Sequence, residues 1–159
     1  MRITIVGCSG SMSGQASAAS CYLVQADSTD EAGRARTHSL VLDLGPGAMG
    51  RLLNYLDPAD LDAVALSHLH ADHCTDIVGM QVYRRWIPGG PLDRIPVYSP
   101  QDGLARTRQI GGDPQEETYA GEFDFHTIGP GDVVEVGPML VEAFEAEHTV
   151  PAVGLRVMG

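Results

Sequence analysis

The sequence predicts a mixed α/β domain, on three observations. Short apolar segments of strand character recur along the chain, as at Arg2–Val6 and Ser39–Leu44. Between them lie stretches with helical spacing of apolar side chains. The clearest is Thr75–Trp86, with apolar residues at 77, 78, 82, 83 and 86. Third, the segment Ser67-His68-Leu69-His70-Ala71-Asp72-His73 falls between the apolar run Ala63–Leu66 and that helical stretch. It therefore sits on a strand-to-helix loop, where a rigid scaffold holds reactive groups at a surface cleft.

The elements follow in order. Arg2–Val6 reads as the first strand, and Gly7–Gly14 as a glycine-serine connector that matches no phosphate-loop fingerprint. Ala19–Ala26 is the second strand, and the polar residues 27–37 are expected to form a mobile hairpin tip. Ser39–Leu44 is the third strand, closed by Gly45-Pro46-Gly47, and residues 47–56 read as a short helix. Ala63–Ser67 delivers the histidine-rich segment. After the helix at 75–86 and a Pro/Gly turn at 87–94 comes a strand at Ile95–Tyr98. Ser99-Pro100 is expected to start the next helix, with serine as cap and proline in the first turn, running to Gly111-Gly112. Residues 113–121 read as loosely helical. Strands are expected at 123–128, 133–136, 139–146 and 153–158.

Length and composition set the bounds. The 159 residues suit a single domain, 1–159, able to bury a sizeable core. Hydrophobic residues make up 43% but form no run of membrane-spanning length. Met1–Gly7 reads as strand and glycine, without the apolar region and cleavage site of a signal peptide. Cys8, Cys21 and Cys74 show no framework spacing, which suits a reducing cytoplasm. The net charge of −11 disfavours a large polyanionic partner, which needs a basic face. All ten basic residues are arginine, a compositional habit rather than a functional sign.

The histidine-rich segment points to metal chemistry. Imidazole and carboxylate are ligands for zinc, and also for manganese or iron. In extended backbone, side chains two apart face the same way, so His68 and His70 can meet one centre. A turn after them throws Asp72 and His73 toward a second point, so one loop can serve two metals. His148 opens a loop at a strand end. It either completes the His68/His70 centre or is an ordinary surface histidine. Asp43 interrupts an apolar strand, and a buried carboxylate needs partners. It either orients a metal-bound histidine without touching the metal or caps the following turn. Cys74 reads as a small packed residue rather than a ligand.

Together, His68-x-His70-x-Asp72-His73 after a strand, Asp43 at an earlier strand end and His148 resemble the metallo-β-lactamase-fold hydrolases. Glu147-His148-Thr149-Val150-Pro151, followed by Gly154-Leu155-Arg156, looks like the branch containing tRNase Z-type nucleases and related phosphodiesterases. So does the opening strand–Gly–x–Ser–Gly. Actinobacterial enzymes of this branch that hydrolyse 3′,5′-cyclic nucleotides are the nearest resemblance. Ala71 stands where tRNase Z sequences usually carry glycine.

The resemblance implies an αββα sandwich with His68, His70 and His148 on one metal and Asp72 and His73 on a second. It implies two divalent ions, zinc foremost, whose hydroxide attacks phosphorus, with Asp72 also orienting the attack. The family's bridging aspartate and final histidine have no counterpart after His148. The chain is therefore expected to be the N-terminal half of the fold, incomplete at its C-terminus, and to hold at most about one metal with little activity by itself. The expected activity of the complete protein is hydrolysis of a small phosphodiester, a 3′,5′-cyclic nucleotide, in the cytoplasm. No membrane partner is expected, and a homodimer is allowed. The alternatives are tRNase Z-like RNA 3′-end processing and a non-catalytic binding module that kept the fold.

Overall fold

The computed structural model describes residues 1–159. Six strands form the larger sheet in the order β1-β2-β3-β4-β5-β6. They are Arg2–Gly7, Cys21–Thr29, Ala35–Leu42, Ala63–Ala65, Ile95–Ser99 and Phe123–Thr127. The first three pair antiparallel; β3 to β6 pair parallel. A second, antiparallel sheet holds β7 (Val133–Val136), β8 (Met139–Glu145) and β9 (Val153–Met158). The helices are α1 (Ala48–Leu52), the short turn α2 (Ala71–Cys74), α3 (Ile77–Trp86) and α4 (Gly103–Gly111), with a 3-10 turn at Pro58–Asp60.

The layers follow from strand alternation. Leu23, Val41, Val64 and Val97 point to one face of the large sheet, where Leu52, Ile77 and Met80 from the helices cover them. Their chain neighbours Val24, Leu40, Ala63 and Ala65 point to the other face and pack against Val136, Met139 and Val141 of the small sheet. The central strands are thus apolar on both sides, which is why they read as continuous apolar runs. Leu40 and Val41 are fully buried on opposite faces, each contributing about 1.5–3 kcal/mol of transfer free energy. Helices, large sheet and small sheet make three layers of the expected αββα sandwich. On the outer face of the small sheet Val133, Leu140 and Met158 are exposed.

Several expected boundaries differ. Residues 27–37 are not a long loose tip. The pairs Asp27↔Thr37, Ser28↔Arg36 and Thr29↔Ala35 extend the ladder. The turn closes on the Asp30 carboxylate, which accepts from Ala32 N and Arg34 N. Cross-strand bonding, as from Thr37 Oγ1 to Asp27 at 2.7 Å, lets polar residues stay in strand. The fourth helix starts at Gly103, not at Ser99. Asp102 is its cap, accepting from Ala105 N at 2.9 Å, while Ser99 is buried as the end of β5. Residues 113–121 contain turns and no helix. The helix expected at 75–86 starts at Ile77 as α3, and a separate helical turn, α2, lies within the histidine segment, with Asp76 between them accepting from Met49 N of α1.

Candidate metal centre

The site forms where the C-terminal ends of β3 and β4 meet the loop before β9. Asp43 N donates to Ala65 O, and Leu66 N to Tyr98 O, so the parallel ladder carries the chain directly into the histidines. Val153 N donates to Ser67 O, and Ala152 bridges His68. That bond ties the start of β9 to the motif and brings His148, five residues earlier in the chain, over it. Leu44 N donates to His73 O at 2.7 Å, closing the turn from the other side. Gly45 is required there, because a Cβ at this position would lie 1.9 Å from Asp72 O.

Two groups of ligand atoms result. Those of His68, His70 and His148 lie within 4.8 Å of one another, and so do those of His68, Asp72 and His73. His148 Nε2 stands 3.0 Å from His70 Nδ1. The His68 ring lies 4.4 Å from that of His148 and 4.0 Å from that of His73, centre to centre. Donors placed 2.0–2.1 Å from one tetrahedral zinc are roughly 3.4 Å apart, so small ring rotations bring either group to ligand spacing. His68 is common to both groups. The structure thus brings together all five residues singled out in the sequence as ligands. His68 is buried, His70, Asp72 and His73 are half-buried, and His148 is exposed.

Asp43 belongs to neither group. It lies at the end of β3 with φ 57°, in the left-handed region that aspartate tolerates better than most residues. Asp43 is 5% exposed and its carboxylate is fully engaged. Oδ1 accepts from Ser67 N at 2.8 Å; Oδ2 accepts from Ser67 Oγ at 3.0 Å and Ser20 Oγ at 3.2 Å. Oδ2 also meets His73 Nδ1 at 2.6 Å. His73 therefore turns its other nitrogen, Nε2, toward Asp72, 3.5 Å away. The contacts of Asp43 run to Ser67, Ser20 and His73 rather than to the turn that follows β3.

The electrostatics differ between the rings. Burial, followed by the neighbouring imidazoles of His73 and His148, pushes His68 down to about 4. A neutral ring is the form that binds metal. The hydrogen bond that His73 donates to the Asp43 carboxylate holds its pKa above the usual histidine range. Cys74 is buried and its thiol donates to His70 O at 3.1 Å; burial raises its pKa. It is absent from both ligand groups, as a packed residue should be.

Sequence reasoning missed three supporting residues. Ser20 and Ser67 complete the shell around Asp43, and Arg106 Nε donates to Leu69 O at 3.1 Å, fastening the His68–His70 segment to α4. Ser67 adjoins the motif and was open to suspicion from its position. Ser20 and Arg106 lie 48 residues before and 38 residues after His68 and carry no local signal.

A two-sheet sandwich with imidazoles and carboxylates gathered at its strand ends defines the metallo-hydrolase fold, whose members use divalent metal ions. The chain belongs to the beta-lactamase superfamily: residues 38–158 match the beta-lactamase superfamily domain. It is 37% identical to the uncharacterized protein Rv1339 of Mycobacterium tuberculosis, over 99% of this chain and 55% of that protein. It is 29% identical to ribonuclease Z of Methanopyrus kandleri, over 74% of this chain and 39% of that protein. Among solved structures, the metallo-β-lactamase fold protein YhfI of Bacillus subtilis superposes with a TM-score of 0.79 at 26% identity, covering 98% of this chain and 58% of that one. The chain spans about half the length of the curated relatives it matches first. No helix is long and apolar enough to cross a membrane.

Proposed function

We propose that this chain carries the ligand half of a metal-dependent phosphodiesterase site acting on a 3′,5′-cyclic nucleotide. The observation that carries the reading is the pair of ligand groups meeting at His68. His68, His70 and His148 would hold one divalent ion, and Asp72 and His73 would contribute to a second, zinc being the best match to this imidazole-rich set. When bound, such ions lower the pKa of water and neutralise charge that develops on a phosphoryl group. The chain's own residues do the rest. Asp43 fixes the His73 ring through Nδ1, leaving Nε2 free. Ser67 Oγ, 3.0 Å from His68 Nδ1, holds the second ring in the same way. Asp72, whose carboxylate lies 3.5 Å from His73 Nε2, would accept a proton from an attacking water.

A small substrate is favoured over RNA by charge. The net charge of −11 weighs against a polynucleotide, which is tracked by a basic surface. The cavity beside His70, about 420 Å³, is of small-ligand size. RNA 3′-end processing is the second reading, supported by the 29% identity to a ribonuclease Z. A cytoplasmic location is supported by three free cysteines.

The test is hydrolysis of cyclic AMP and of a precursor tRNA by zinc-loaded protein, in the form encoded by its complete reading frame. Release of 5′-AMP or 3′-AMP that is abolished by His68→Ala supports the proposal. Cleavage of the tRNA with no turnover of cyclic AMP replaces it by the second reading. Activity that survives removal of all metal overturns both.

A further inference from the structure

We infer that the cavity between the histidine segment and α4 is a base pocket that selects purine nucleotides, with Arg106 as the side chain that reads the base. The inference rests on the nucleotide reading above and goes further, to which nucleotides are taken and by what contact. His70 lines this cavity and also belongs to the first ligand group. A phosphodiester held by its phosphoryl group at the histidines would place its organic substituent in an adjoining cavity, and this one adjoins His70, whereas the cavity beside His148 is lined by the carboxylates of Glu145 and Glu147.

The lining fits a flat heterocycle. Leu69, Ala105 and Val150 supply apolar walls, while Gln101, Asp102, Arg106 and Gln109 supply the polar groups beside His70. Few polar groups converging in an apolar cleft fix orientation and specificity in small-ligand sites. A second phosphate would gain nothing from the three apolar walls; the faces of a base would be buried against them.

Arg106 is half-buried and in no ion pair, and Asp102, the carboxylate of the same cavity, accepts from Ala105 N instead. The two hydrogen bonds of the Arg106 side chain go to neutral oxygens: Nε to Leu69 O at 3.1 Å and Nη1 to Gln109 Oε1 at 3.2 Å. Those bonds hold the guanidinium in place before any ligand arrives, which reduces the ordering cost of binding. Guanidinium only donates, so it needs an acceptor edge. Purines offer N7, joined by O6 in guanine, and arginine and glutamine are the side chains that pair with those edges. Pyrimidines have no N7; cytosine offers O2 and N3 instead, on a single ring that buries less face against the apolar walls. Gln109, already bonded to Arg106, can add an amide donor beside it.

The pocket is tested by calorimetric titration of the zinc-loaded protein with AMP, GMP, CMP and ribose 5-phosphate, which needs no turnover. The purine nucleotides are expected to bind at least about tenfold more tightly than CMP and ribose 5-phosphate, a difference of ~1.4 kcal/mol. In Gln109→Ala and in Arg106→Lys, zinc content checked in each, the gap between GMP and ribose 5-phosphate is expected to close to about twofold. Equal or absent binding of all four ligands overturns the inference, as does a gap that persists in both variants. If purine selection is seen but cyclic AMP and cyclic GMP are not hydrolysed, the proposed reaction fails and the pocket stands.

Discussion

Oδ2 of Asp43 lies 2.6 Å from Nδ1 of His73, joining the end of β3 to the helical turn that presents Asp72 and His73. One carboxylate thereby sets the ring orientation of a candidate ligand and, through Ser67 N and Oγ, the path of the backbone into His68. Loss of such an orienting partner costs about 10–100-fold in metal affinity. Asp43→Ala is expected to weaken zinc binding by that factor, measured by competition with a chromogenic chelator. Unchanged zinc affinity would leave Asp43 only as a brace for Ser67.

His148 is exposed and reaches the cluster only through its ring. His148→Ala is expected to lower affinity at the first group sharply, while the metal-free protein keeps its urea midpoint, since surface substitutions usually change stability by less than about 0.5 kcal/mol. A large loss of stability without metal would show that His148 holds the loop rather than an ion.

The two ligand groups share His68, whose Nδ1 is 3.0 Å from Ser67 Oγ, leaving one nitrogen for a metal. One imidazole nitrogen serves one ion. Residues 1–159 are therefore expected to bind about one zinc per chain, with any second ion held weakly by Asp72 and His73 alone. Elemental analysis after dialysis against limiting zinc decides this; two ions retained per chain would refute the shared-ligand reading.

The metal-free protein is expected to lose stability in acid through His68. Its folded pKa is pushed down to about 4 by burial and neighbouring imidazoles, against an unfolded value of about 6.5. Between those values the unfolded chain binds the extra proton, so the stabilisation is complete above about 6.5 and is lost as pH falls toward 4. His73 acts in the opposite sense. Raised by Asp43, its contribution is full below about 6.5 and fades as pH rises through its folded value. Urea midpoints of the metal-free protein from pH 4 to 8 are expected to show a weaker acid decline in His68→Asn than in the parent. A parallel decline in both would assign the acid limb to other groups.

Much of the architecture was readable because it is local. The runs at Leu40–Leu42 and Ala63–Leu66 are apolar on both sides, and Thr75–Trp86 repeats its apolar residues at helical spacing. Asp102 as the true cap of α4 was missed because Ser99-Pro100 offers the same local signal. Burial of Ser99 at the end of β5, a tertiary fact, decided between them. The polar stretch at 27–37 resembles a loop in sequence, but polarity is only a correlate of loops; pairing between Asp27 and Thr37 keeps it in strand.

By itself the sequence determined the identity and close spacing of His68, His70, Asp72 and His73, since six consecutive positions across a turn cannot separate widely. It also determined the two-sided burial of the strands that carry them. Only the tertiary structure decided the rest. The bond from Val153 N to Ser67 O brought His148 across 80 residues of chain to His68, and the close approach of Gly45 to Asp72 O let Asp43 reach His73. Those are contacts between distant segments, selected by packing and hydrogen bonding across the whole sandwich, and no local pattern in either segment encodes its partner.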